Sequence, residues 1–175
     1  HNAGFWFLDA LAHIEGVQFK AQSKLHAETA RLRMSGHDCI LARPTTFMNH
    51  SGQAVRAVMD YYRLTAADLL VAYDELDLPP GVARLKQGGG HGGHNGMRDI
   101  FRHSPDHEFL RLRIGIGHPG SKDAVTPYVL GRPTAAQERL IRDSIAEAAG
   151  EMPRVLGGDI AGAMKALHTV KEDGI

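Results

Sequence analysis

The chain has 175 residues, 43% of them hydrophobic and 23% charged, a balance that suits one globular domain with a full core. Lys and Arg number 20 against 20 Asp and Glu, and this zero formal net charge argues against a protein that coats nucleic acid indiscriminately, though not against a local basic patch. No run approaches the ~18 apolar residues of a membrane helix, and the one cysteine, Cys39 in "DCILA", excludes an internal disulfide and reads as a small buried apolar residue. In chain order, "HNAGFWFLDALAHIEGV" puts Phe5, Leu8, Leu11 and Ala12 on one helical face and stops near Gly16. Extended runs follow at 25–33 and 37–43, joined by "SGH" as a hairpin turn. A loop, "RPTTFMNHSGQ", leads to the helix "GQAVRAVMDYYRL", which Ser51 is placed to cap. "LLVAYDELD" has the pattern of a buried strand reaching a sheet edge, and "VARLKQ" reads as another strand after the "PPG" turn. The glycine-rich "GGGHGGHNG" feeds a helix at "NGMRDIFRH", "LRLRIGIG" is a further strand, and the chain from Pro133 onward is helical. Strands interleaved with helices predict an α/β layered fold with helices on both sheet faces, in which active sites gather in loops at strand ends.

Four stretches carry candidate chemistry. Asp74 in "VAYDELD" is either a functional carboxylate or the first solvated residue past the sheet. Its neighbours Glu75 and Asp77 do not make a clean general-acid pair. In "PTTFMNHSG", Asn49 stands beside Phe47 and Met48; an amide that both donates and accepts can grip an ester or a peptide, and can equally build a turn. "GGGHGGHNG" does not fit GxGxxG and lacks the lysine and Ser/Thr of a P-loop. No Cys cluster or HExxH motif supplies further metal ligands beside His91 and His94. What remains is a turned or mobile backbone that delivers His94 and Asn95 to a helix start, whose amides also attract anions. Lys86 precedes this loop, and Arg111 and Arg113 share one strand face. Such a cluster either clamps a phosphate or forms a solvated sheet face.

Together these segments resemble the bacterial-type peptidyl-tRNA hydrolases. The resemblance lies in an ordered series: "HNAG" at 1–4, "PTTFMNHSG" at 44–52, "DELDLPPG" at 74–81, "GGGHGGHNG" at 88–96, "RLRIGIGHPG" at 111–120 and "YVLG" at 128–131, followed by the helical tail. It implies a single domain over 1–175, built as a three-layer sandwich of a mixed sheet with helices on both faces. It implies a monomeric, cytoplasmic esterase without cofactor or metal, which cleaves the ester between a peptide and the 3′-terminal ribose of tRNA. The catalytic histidine falls on His1 and the acid that orients it on Asp74. Substrate-gripping asparagines fall on Asn49 and Asn95, with Phe47, Met48 and His94 lining the same cleft. The cations that hold the tRNA 5′-phosphate fall on Lys86 and Arg113. The partner implied is peptidyl-tRNA, with no membrane.

This chain departs from the family at one place. Its relatives begin with an apolar strand and a Gly-Asn-Pro-Gly turn before the histidine, whereas this sequence opens on His1. The natural protein is therefore expected to be longer, with that strand in the sheet. Three rival readings are a non-catalytic RNA-binding relative, a hydrolase of small esters using the same His and Asp, and a metal enzyme.

Overall fold

The computed structural model describes residues 2–169. Helix α1 (Ala3–Glu15) buries Phe7, Leu11 and Ala12 on one stripe and ends where Gly16 takes a left-handed φ of 66°. The Val17 amide then donates back to the Ala12 carbonyl, closing the helix as a Schellman-type cap. Strands β1 (Lys20–Gln22), β2 (Ala27–Met34) and β3 (His37–Pro44) form an antiparallel sheet in that order. The β2–β3 turn is Ser35-Gly36, with φ values of 52° and 79°, the two positive φ angles that a tight two-residue hairpin requires.

Strand β4 (Leu70–Glu75) runs parallel to β6 (Leu110–Gly115), and β5 (Ala83–Gln87) pairs antiparallel to the other edge of β6. The described strands are thus hydrogen-bonded as two three-stranded sheets, one antiparallel and one mixed. A shared core joins them: Leu32 and Leu41 of the first sheet pack in one cluster with Phe7, Leu85, Leu112, Ile114 and Ile141. Helices α5 (Ala135–Leu156) and α6 (Ile160–Thr169) cover this side. Thr134 and Gln137 form a reciprocal capping box at the start of α5. Helices α2 (Ser51–Tyr62) and α3 (Asn95–His103) cover the opposite face of the mixed sheet. There Met97, Ile100 and Phe109 pack with Val71 and Tyr73. The expected helix–sheet–helix layering is present. A short helix α4 (Val125–Leu130) lies over the "YVLG" stretch, where no separate element was expected.

One expected cap is corrected. Ser51 does not cap α2 from outside; it is the first helical residue, and its hydroxyl donates to the Met48 carbonyl at 2.8 Å. The preceding residues Met48–His50 already form a 3-10 turn, so the helical chain starts before Ser51 and its hydroxyl turns back on that turn instead of forward.

Candidate active site

Asp74 lies inside β4, paired with Ile114 of β6, and is only 8% exposed. The solvated reading of this acid is therefore excluded. Its Oδ1 accepts from the Ala3 amide at 2.6 Å, an unsatisfied donor of the first turn of α1. Among the described residues, none donates to Oδ2. Sequence dictates this contact through Gly4. A Cβ at Gly4 would stand 2.5 Å from the Ala72 carbonyl oxygen, so only glycine lets α1 lie with its first turn directly on the β4 backbone. Burial pushes the Asp74 carboxyl up, while the bond from the Ala3 amide acts the other way. His1, the expected general base, lies outside the described residues; it is two residues before the amide that Asp74 holds.

His94 caps α3. Its Nδ1 accepts from the Met97 amide at 3.1 Å, and its ring meets Tyr73 edge-on at 5.1 Å. Burial lowers its pKa, and Asp74 opposes that shift. The His94 ring and the Met48 sulfur both close on Gly96, 3.0 and 2.7 Å from where a Cβ would stand. Asn49 and Asn95 line one groove with His50, Arg98, Asp99 and Arg102. Phe47, two residues before Asn49, is 83% exposed. Asp74, His94, Met48, Asn49 and Asn95 thus form one continuous region, with the two asparagines in the groove.

The two cations expected at the phosphate stand in different surroundings. Residues facing each other across β5 and β6 are Lys86 with Arg111 and Arg84 with Arg113, which puts all four on one sheet face. Arg113 is already engaged: its Nε and Nη2 donate to Glu75 Oε1 at 2.8 and 2.6 Å. Lys86 is exposed and lies across Gly89.

The model of the peptidyl-tRNA hydrolase family matches residues 1–174. The chain belongs to the peptidyl-tRNA hydrolase family. It is 52% identical over 172 residues to the peptidyl-tRNA hydrolase of Erwinia tasmaniensis, which covers 98% of this chain and 88% of that protein. The corresponding protein of Halorhodospira halophila is 47% identical over 168 residues, or 96% of this chain and 87% of the other. The crystal structure of peptidyl-tRNA hydrolase from Acinetobacter baumannii matches with a TM-score of 0.93 at 44% identity, covering 97% of this chain and 86% of that one.

Two residues of this hydrolase escape a reading of motifs. Arg111 was open to a phosphate role, but it is 1% exposed and donates to the carbonyls of Gly90, Gly89 (2.6 Å) and His107 (3.3 Å). Its guanidinium sits against the rings of Phe109 and Phe101, with centroids at 4.9 and 5.1 Å. It is the side chain from which the glycine-rich loop hangs. Asp99 is buried, and its Oδ2 accepts from the Gly52 amide at 2.7 Å, tying the start of α2 to α3 across the floor of the asparagine groove. Neither role has a local pattern. The alternation of "LRLRIG" gives Arg111 its face but not its acceptors in the loop, Gly90 and Gly89, which lie 21 and 22 residues away.

Proposed function

We propose that His1 is the general base by which this enzyme hydrolyses the ester of peptidyl-tRNA. Its imidazole takes a proton from water, and the resulting hydroxide attacks the ester carbonyl carbon. The tetrahedral adduct then collapses, breaking the bond to the ribose oxygen, and the imidazolium returns its proton to that oxygen. Asp74 fixes the imidazole tautomer and stabilises the imidazolium, using the carboxylate oxygen that the Ala3 amide leaves open. Asn49 and Asn95 hold the peptide carbonyl and the developing oxyanion without adding charge. Neutral amides recognise backbone rather than side chains, which suits an enzyme that accepts any peptide. Phe47, Met48 and His94 form the wall of this cleft, and burial keeps His94 neutral there. Lys86 and Arg113 take the 5′-phosphate, with Arg113 exchanging Glu75 for the phosphate as it binds. The family resemblance suggests that the enzyme works as a cytoplasmic monomer. Among the described residues no helix is long and apolar enough to cross a membrane.

The observation that carries this reading is the buried Asp74 carboxylate, tied to the helix that begins two residues after His1. Asp74→Asn tests it, because the amide oxygen still accepts from Ala3 while the charge facing the imidazole is lost. With His1→Ala, kcat on peptidyl-tRNA is expected to fall ~10²- to 10⁴-fold, the scale of losing a general base. Asp74→Asn should lower kcat with little change in melting temperature. Near-normal turnover by either folded variant would remove the His–Asp assignment.

A further inference from the structure

The asparagine groove holds two charges that the ester chemistry does not use. Helix α3 turns Asn95, Arg98 and Arg102 toward the groove, the i, i+3, i+7 spacing of a single helical face. Asp99 lies on the same helix, but its Oδ2 is taken by the Gly52 amide at 2.7 Å and stands 3.6 Å from His103 Nδ1. Among the described residues, neither Arg98 nor Arg102 has a carboxylate partner, whereas Arg56, Arg113, Arg142 and Arg154 each have one. Like charges at i and i+4 repel and cost the helix stability. Both side chains are exposed at the groove, and the planar guanidinium fork matches a phosphate.

We propose that Arg98 and Arg102 bind backbone phosphates of the single-stranded 3′ end of the tRNA, laid along α3 from the groove that carries Asn49 and Asn95. This rests on the reading of those asparagines as the substrate grip. Charge decides for RNA over the peptide as the occupant: the groove offers two guanidinium cations against one carboxylate, Asp99, which is tied to the Gly52 amide, and a peptide backbone offers no negative charge to meet them. Arg98 and Arg102 are also the cations that binding need not first detach from an acid, unlike Arg113.

The test compares the Arg98→Ala/Arg102→Ala double variant with the parent protein on three substrates. These are an N-acetylaminoacyl-tRNA, the same acyl group on a 3′-terminal trinucleotide, and the same acyl group on adenosine, which has no phosphate. KM is expected to rise about 10-fold on the first two, and the log–log salt slope of kcat/KM to become shallower by about 1.4, two single-strand phosphate contacts. On the adenosine ester the difference should vanish, and Arg98→Lys/Arg102→Lys should recover most of the salt slope. An equal loss on the adenosine ester overturns the proposal in favour of a peptide in the groove. A loss on the tRNA but not the trinucleotide also overturns it, because the arginines then reach another part of the tRNA. An unchanged salt slope does so as well. Asn95→Ala, measured on the same three substrates, separates this from the reading beneath it. A loss on all three supports the substrate groove; no loss on any, while the arginine variant still shows its salt effect, leaves the phosphate contact standing and rejects the role of Asn95.

Discussion

Replacing Arg111 by methionine separates what the buried guanidinium does for the fold from what it does for the loop. The side chain is 1% exposed and has no acidic partner among the described residues; its acceptors are the carbonyls of Gly89, Gly90 and His107. The bond to His107 is long at 3.3 Å, so two strong charge-assisted bonds remain, worth about 1.5–3 kcal/mol each or roughly 3–6 kcal/mol together. Burying the guanidinium costs several kcal/mol, and the rings of Phe101 and Phe109 that flank it suit a methionine. The two effects largely offset, so Arg111→Met should lower stability by only about 1–2 kcal/mol, or about 2–8 °C in Tm for a chain of this size. The carbonyls freed from the two strong bonds belong to Gly89 and Gly90, which are exposed residues and turn to water. The loop should therefore loosen while the sheet stays. The amides of Gly93 and His94, which donate to His91 at 3.0 Å each, should lose hydrogen-exchange protection. With Asn95 and His94 no longer held in place, kcat/KM on peptidyl-tRNA should fall ~10²-fold, the scale of a misplacement of about 1 Å. Arg111→Lys, which keeps the charge but not the fork, should fall between. Unchanged loop protection together with native turnover would refute the reasoning, and so would global unfolding of Arg111→Met.

Gly4→Ala should destabilise by about 1–3 kcal/mol, as overpacking does, because its Cβ would meet the Ala72 carbonyl at 2.5 Å. The displaced first turn should also lose its bond to Asp74, so the urea midpoint and kcat should fall together; a stable and fully active variant would deny the close approach. His94 offers a pH test. Its folded pKa lies below the ordinary 6.5, so the unfolded chain takes up a proton more readily. The contribution of the neutral ring is then complete above about pH 6.5 and is lost as the pH falls from there through the folded value. His94→Asn keeps a capping side chain and should show a flatter Tm against pH below 6.5; an identical slope would mean that another group titrates.

Much of this arrangement was legible because local patterns set it. The helix α1 with its Gly16 stop, the Ser35-Gly36 hairpin, the strand before Asp74 and the helix after "GGGHGGHNG" follow from periodicity and turn chemistry, and each is present in the structure; the α1 stripe is shifted, because Phe7 enters the core with Leu11 and Ala12 while Phe5 and Leu8 stay half-buried. What could not be read is what long-range contacts decide. Whether Asp74 is solvated depends on α1 returning 71 residues away to lie on β4, and no residue near Asp74 carries that information. The Arg113–Glu75 pair is of the same kind, since 38 residues separate two side chains that parallel pairing makes neighbours. The two arginines of "RLR" are equivalent as sequence, yet one is buried under a loop and the other meets an acid. That difference arises because α3 and the glycine-rich loop close over only one end of the strand.

The two walls of the cleft are held in different ways, and this bears on how one enzyme accepts many peptides. On the Asp74 side the contact is backbone on backbone: the first turn of α1 lies on β4 at Gly4 with no side chain between them. Packed backbone of this kind has little room to adjust, which suits a base and its orienting acid, where small displacements are costly. On the Asn95 side the loop is held by the Gly88 amide on the Phe109 carbonyl, by Arg111 on the Gly89 and Gly90 carbonyls and by ring contacts of His91 and His94, and it contains four glycines at positive φ, Gly88, Gly89, Gly92 and Gly93. A segment held at a few points with a permissive backbone between them can shift by small rotations without breaking the sheet. The groove it borders is lined by Asn49, His50, Asn95, Arg98, Asp99 and Arg102; amides and guanidinium groups of this kind can pair with peptide backbone and phosphate without a preference for a side chain. Fixed geometry on the side proposed to react and adjustable geometry on the side proposed to grip is the division that a hydrolase of variable peptides on a constant RNA requires.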